Sequence, residues 1–374
     1  MVTAHPNRDW RWTLFPLTLF VCTRVALLSF SWIALTLVPE LVSERGPRDF
    51  LRNYPALDGL CRWDCFAFDK ISNLGYQRPL WTNFFPGYPL LGRAVQAVTG
   101  IHSQVALLLV SNLAGLAALI VIYRIFLLLA DEAAARWSLV LFAAFPFAFF
   151  QATGYPESLM LFSSALAVLL ALRGQHIWAG VALGCGVLAR HLTMFAGVAL
   201  LVAQIRQRGA HPRRLLLDPA ILGLVVPWLF LGLYSLYQYI EFGDPLAFVA
   251  ARENWGPRAW WGIDDLLRTA QRDADVRVMQ SYLPFGLITV VGALALATRR
   301  QWLELAAFAI VFTAFLWSSG MWGLGRYSAS CWPAFLPLGV WLSKRPVLGL
   351  PIIGILAIFQ GLFFYLFVHQ FPIL

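Results

Sequence analysis

Apolar stretches of membrane length alternate with polar breaks along the whole chain. The first runs from about Trp12 to Val38, behind Arg8 and Arg11. About 20 helical residues cross the hydrocarbon of a bilayer, so this stretch is long enough to span. Others run from about His102 to Leu129, Trp137 to Phe150, Ser158 to Leu172, His176 to Ala189, Leu192 to Ile205 and Leu215 to Ile240. Four more follow, at about Tyr282–Thr298, Trp302–Ser319, Tyr327–Leu342 and Val347–Val368. The pattern predicts an all-α polytopic membrane protein, one domain over residues 1–374 with about 11 transmembrane helices. Two breaks are long. Residues 39–101 form a first loop, polar up to about Trp81 and with room for helices along the interface, and residues 241–281 form a second.

Composition agrees with that pattern. Of 374 residues, 60% are hydrophobic and only 13% charged, with mean hydropathy +0.69. Soluble proteins carry about 25% charged residues, so this chain would expose large apolar patches in water. The net charge of +9 does not point to nucleic acid, for which no motif is present. The basic residues sit between apolar runs, where they set topology. The first run is too long for a signal-peptide core and has no small-residue cleavage site.

Orientation follows from those basic residues. With the N-terminus in the cytoplasm, nearly all short-loop Arg and Lys, from Arg8 to Arg345, are cytoplasmic, and only Arg190 and Arg326 fall in short outer loops. The same parity puts the first loop, Glu157, Arg190-His191, Gly243-Asp244-Pro245 and Arg326-Tyr327 on the outer side. One active site at the outer membrane surface is the expectation.

Each candidate has a bland reading beside the chemical one. Asp64 follows Trp63, an amphipathic residue common at membrane interfaces. A partly desolvated acid there can act as a general base, or it is a solvated loop acid. Asp69 lies about 140° round a helix from Asp64, so the two form no tight pair. Asp58 and Asp69 read as structural or substrate-contacting. Glu157 follows Tyr155-Pro156 at a helix start, where an acid also favours the helix dipole. Arg190, His191 and Arg326 interrupt apolar sequence, which is costly unless the residue is paired, functional or snorkelling. Arg binds phosphate bidentately. Gly243-Asp244-Pro245-Leu246 reads first as a turn, and Glu253-Asn254-Trp255-Gly256 adds an acid and a ring to the same loop. Cys22, Cys185 and Cys331 read as small apolar residues. Cys61 and Cys65 are expected to be free thiols, and no His/Cys pattern reads as a metal site.

Several of these motifs together resemble the PIG-V mannosyltransferase family. They are Arg62-Trp63-Asp64, Ile71 with Gly75-Tyr76, and Phe84-Phe85-Pro86-Gly87-Tyr88-Pro89-Leu90, the most specific group. Gly154-Tyr155-Pro156-Glu157-Ser158-Leu159, Leu188-Ala189-Arg190, Gly243-Asp244-Pro245-Leu246-Ala247-Phe248 and Arg326-Tyr327 continue it in order along the chain. Pro156 and His191 depart from the family pattern. The compact loops resemble a bacterial homologue, which implies an inner (cytoplasmic) membrane location with the site facing outward.

The resemblance implies a GT-C glycosyltransferase that takes a sugar, mannose in the family, from a polyprenyl-phosphate donor and inverts the anomeric centre. The acceptor would be a lipid-linked or other glycan. Asp64 would be the base. Arg326 or Arg190 would hold the lipid phosphate, with Trp63, Asp69, Glu157, His191, Asp244 and Tyr327 as further substrate contacts. No cofactor or metal is implied, although Asp58, Asp64 and Asp69 are three acids in one loop. A non-catalytic lipid or glycolipid transporter is the rival class; it calls for charged groups at both membrane faces. An acyltransferase built on His191 lacks a supporting partner.

Overall fold

A computed structural model describes residues 10–38, 50–252, 282–318, 323–371 and 373. Glu253–Gly256 and most of the second long loop lie outside the described residues, as does 39–49 of the first. Each of the eleven apolar stretches contains helix. Five helical stretches are long and apolar enough to cross a membrane: Trp10–Leu37, Ser103–Leu129, Pro219–Phe242, Arg300–Ser318 and Pro346–Val368. Glu157–Leu172, His176–Ala189 and Leu283–Leu296 are apolar but shorter.

One of these short helices has a visible physical reason. Glu157–Leu172 has 16 residues, a rise of about 24 Å, against a hydrocarbon core of about 30 Å. The backbone before it, from Phe145 to Pro156, is bends and 3-10 turn rather than α-helix. Irregular backbone at membrane depth is tolerated only when protein satisfies its polar groups. Here Arg24 Nη2 donates to the Gln151 carbonyl at 3.1 Å and Ser158 Oγ to the same oxygen at 2.6 Å. Asn112 Nδ2 donates to the Ala152 carbonyl at 3.1 Å, while its Oδ1 accepts from Arg24 Nε at 2.7 Å. The third apolar stretch therefore ends as helix at Ala144, earlier than its hydropathy predicts.

The described part of the first loop, residues 50–101, is largely helical. Asp64–Leu74, the 3-10 turn Pro79–Asn83 and Gly87–Thr99 follow one another. The last carries an apolar face that packs on Ser103–Leu129, where Tyr88 is fully buried and its hydroxyl donates to the Leu107 carbonyl at 2.9 Å. Gly87 permits a close approach: a Cβ there would stand 2.9 Å from the Leu188 carbonyl carbon. That contact seats the Phe84–Leu90 motif beside Arg190.

Candidate active site

Asp64 opens its helix and does not sit in open loop. Trp63, just before it, has φ +52°, a region that L side chains rarely occupy, that costs on the order of 1–3 kcal/mol and that persists only where neighbours impose it. Tyr155 is one such neighbour. Its buried hydroxyl donates to the Arg62 carbonyl at 3.0 Å and accepts from the Asp64 amide at 3.2 Å. Arg62 itself is consumed by structure. Both of its terminal nitrogens reach the Asp58 carboxylate at 2.8 Å, and Nε donates to the Val368 carbonyl at 2.9 Å.

Four charged side chains from distant parts of the sequence form one chain. Arg326 Nη1 donates to Asp64 Oδ2 at 2.9 Å, and Arg326 Nε to Glu157 Oε1 at 2.5 Å. The same Glu157 oxygen accepts from Arg190 Nη1 at 2.7 Å, and Arg190 Nη2 donates to the Tyr327 hydroxyl. The side chains of Arg326 and Glu157 are only 3% and 2% exposed; Asp64 and Arg190 are 16% and 14% exposed. The buried half of the chain therefore ends in two partly open groups of opposite sign. Rings hold the guanidinium groups in place: Tyr155 and Phe150 lie 4.4 and 5.0 Å from Arg326, and Tyr327 lies 4.7 Å from Arg190. Such cation–π contacts are stronger when desolvated. Four buried polar atoms here have no hydrogen-bond partner: Glu157 Oε2, Arg190 Nε, Arg326 Nη2 and Trp63 Nε1.

The sequence candidates separate into two groups. Asp64, Arg326, Glu157, Arg190 and Tyr327 come together, with Trp63 adjoining. Asp69, Asp244 and His191 do not join the charged chain. Asp69 accepts from Ser103 Oγ and, at 3.1 Å, from Asn73 Nδ2, tying its helix to the start of Ser103–Leu129. Asp244 Oδ1 accepts from the Leu246 amide at 2.8 Å, the turn its sequence suggests. His191 packs on Phe85, ring centres 5.4 Å apart, in an aromatic wall with Tyr234 and Phe248. Tyr76, at the edge of that wall, donates to the Phe84 carbonyl at 2.5 Å, and burial beside Tyr234 raises its phenol well above the ordinary range. Asp58, Asp64 and Asp69 have separate partners, and the described residues hold no group of three His, Cys, Asp or Glu placed to share a metal ion.

The cysteines overturn an expectation. Cys61 and Cys65 are disulfide-bonded, with Cα atoms 5.3 Å apart. A turn into the first residues of a helix brings them within bridging range, and Gly154 leaves the space: a Cβ there would stand 2.3 Å from Cys65 Sγ. Sequence reasoning also missed Tyr155 as a site residue. Its signal was the Gly154-Tyr155-Pro156 break in an apolar run.

No protein-family profile matches the chain, and no curated protein matches. Solved structures do. ArnT from Cupriavidus metallidurans, solved with undecaprenyl phosphate bound, matches at 17% identity with a TM-score of 0.54, over 88% of this chain and 60% of that one. The Archaeoglobus fulgidus oligosaccharyltransferase, in a complex with zinc and sulfate, matches at 15% identity with a TM-score of 0.48, over 93% of this chain and 52% of that one. The chain thus spans between half and two thirds of the length of these solved structures. It has the all-α, polytopic GT-C fold.

Proposed function

We propose that the protein is an inverting glycosyltransferase that moves a sugar, mannose by the PIG-V resemblance, from a polyprenyl-phosphate donor to a lipid-linked or glycan acceptor. The reading rests above all on the chain Asp64–Arg326–Glu157–Arg190, which joins a partly open carboxylate to guanidinium groups with unpartnered nitrogens. The fold shared with ArnT, whose structure holds undecaprenyl phosphate, supports that donor class. The site faces the extracytoplasmic side of a bacterial inner membrane, as the distribution of basic residues suggests.

In this mechanism the acceptor hydroxyl gives its proton to Asp64. Its oxygen attacks the anomeric carbon from the side opposite the lipid phosphate, and the carbon–phosphate oxygen bond breaks with its electron pair on the phosphate. That group departs as a stabilised anion and needs no proton from the protein. Arg326 Nη2 and Arg190 Nε are donors without partners, suited to the charge that develops there. Both are held by one Glu157 oxygen, so the two arginines act as a unit.

The test is transfer from radiolabelled polyprenyl-phosphate mannose in membranes containing the protein. A new glycolipid that is lost in the Asp64→Asn protein supports the reading. Donor that crosses the bilayer without transfer returns the transporter.

A further inference from the structure

We propose that the Cys61–Cys65 bridge is a positioning element for Asp64, formed in an oxidising compartment that the site faces. The inference rests on the catalytic reading of Asp64 given above.

The bridge closes a ring of five residues, and Arg62, Trp63 and Asp64 are the three inside it. Both sulfurs are buried, with Cys61 and Cys65 1% and 0% exposed. The ring is held from three sides. Arg62 is fixed by Asp58 and by the Val368 carbonyl. Tyr155 binds the backbone on both sides of Trp63. The Gly154 amide donates to the Leu60 carbonyl at 2.9 Å, and the bridge lies against the face of Gly154 that carries no side chain. Trp63 occupies its positive φ between these anchors. Release of the bridge frees the one peptide segment that must hold that conformation, and the carboxylate next to it then samples positions away from Arg326. A misplacement of about 1 Å can cost about 100-fold in rate. Cys22, Cys185 and Cys331 are free thiols, so the single bridge among the described residues coincides with the site. Stable disulfides form in extracytoplasmic, oxidising compartments. The bridge therefore bears on orientation by a route independent of the basic residues.

Two measurements on the full-length protein test this. The first is thiol labelling of the denatured wild-type chain with a maleimide polymer. Three labels before reduction and five after are expected, from five cysteines of which three are free. Five labels before reduction overturn the proposal without any variant being made. The second is turnover of Cys61→Ser/Cys65→Ser and, separately, of Gly154→Ala, each per mole of folded enzyme eluting as a monodisperse peak. A fall in kcat of roughly 10- to 100-fold, with donor affinity little changed, is expected in both. Loss of thermal stability with unchanged kcat makes the bridge merely structural and overturns the positioning role. If Asp64→Asn is itself fully active, the catalytic reading fails. If Asp64→Asn is inactive and the cysteine variant fully active, only this inference fails.

Discussion

Two acid–arginine networks occupy opposite ends of the helix bundle. At one end Glu304 and Arg206 pair; at the other Glu157 is shared by Arg190 and Arg326. The first is complete. Both Glu304 oxygens accept from Arg206 Nη1, at 2.8 and 2.6 Å, and the arginine is 40% exposed. In the second, one Glu157 oxygen takes both guanidinium groups while the other has no hydrogen-bond partner. Buried polar groups are almost always paired, and an exception needs an explanation. The complete pair closes a helix junction. The incomplete network carries donors and acceptors suited to a ligand.

Truncating the incomplete network at its centre should have the largest consequence. Arg326→Ala leaves Glu157 with one partner and Asp64 with none at that position. Breaking a buried pair typically costs about 3–5 kcal/mol, so the variant should lose thermal stability, lose donor affinity and be almost inactive. Donor binding by the folded variant, measured by calorimetry, separates the roles: unchanged affinity would move phosphate binding to Arg190. Asp64→Asn comes next and acts on rate alone. Base catalysis contributes about 10²–10⁴-fold, so kcat should fall by that range while donor affinity is nearly retained. Unaltered turnover in the purified protein would remove Asp64 from the mechanism.

The fold was legible in the sequence because hydropathy reports membrane depth directly, and each of the apolar stretches contains helix. Their ends were less legible. Hydropathy counts Phe145–Phe150 as part of a span, but the backbone there leaves the α-helix, and the carbonyls of Gln151 and Ala152 are met by Arg24 and Asn112, which lie far away in sequence. The candidate site was legible as a set of ionisable residues set among apolar ones. Which of them meet was not, because Arg326 reaches Asp64 across 262 residues. Asp69, which the sequence reads as structural or substrate-contacting, is engaged by a serine at the next helix start. Cys61–Cys65 was misjudged for a similar reason. Spacing alone did not show the turn at Trp63 or the open face of Gly154.

At the other end of the bundle, Arg206→Ala should leave chemistry alone. Glu304 is 6% exposed as a side chain, and losing its partner leaves a buried acceptor unsatisfied, worth about 1–3 kcal/mol. The half-exposed arginine puts water near the gap, so the lower figure is expected. Melting should shift downward while kcat and KM per folded enzyme stay at wild-type values. A kcat defect without a stability defect would mean that the two ends are coupled, and the comparison would fail.

The smallest effect is expected at Asp244, whose sequence reads first as a turn. Its carboxylate closes a turn onto the Leu246 amide two residues on, and the residue is exposed. Such local side-chain bonds offset a single backbone donor that water can also satisfy. Exposed substitutions away from buried networks typically stay within about 0.5 kcal/mol. Asp244→Ala should therefore change stability by no more than about 0.5 kcal/mol and, being outside the charged network, leave kcat, KM and donor affinity near wild type. A large rise in acceptor KM alone would bring this turn to the acceptor in the bound state. The site would then extend beyond the four charged groups, toward the aromatic wall of Phe85, Tyr234 and Phe248.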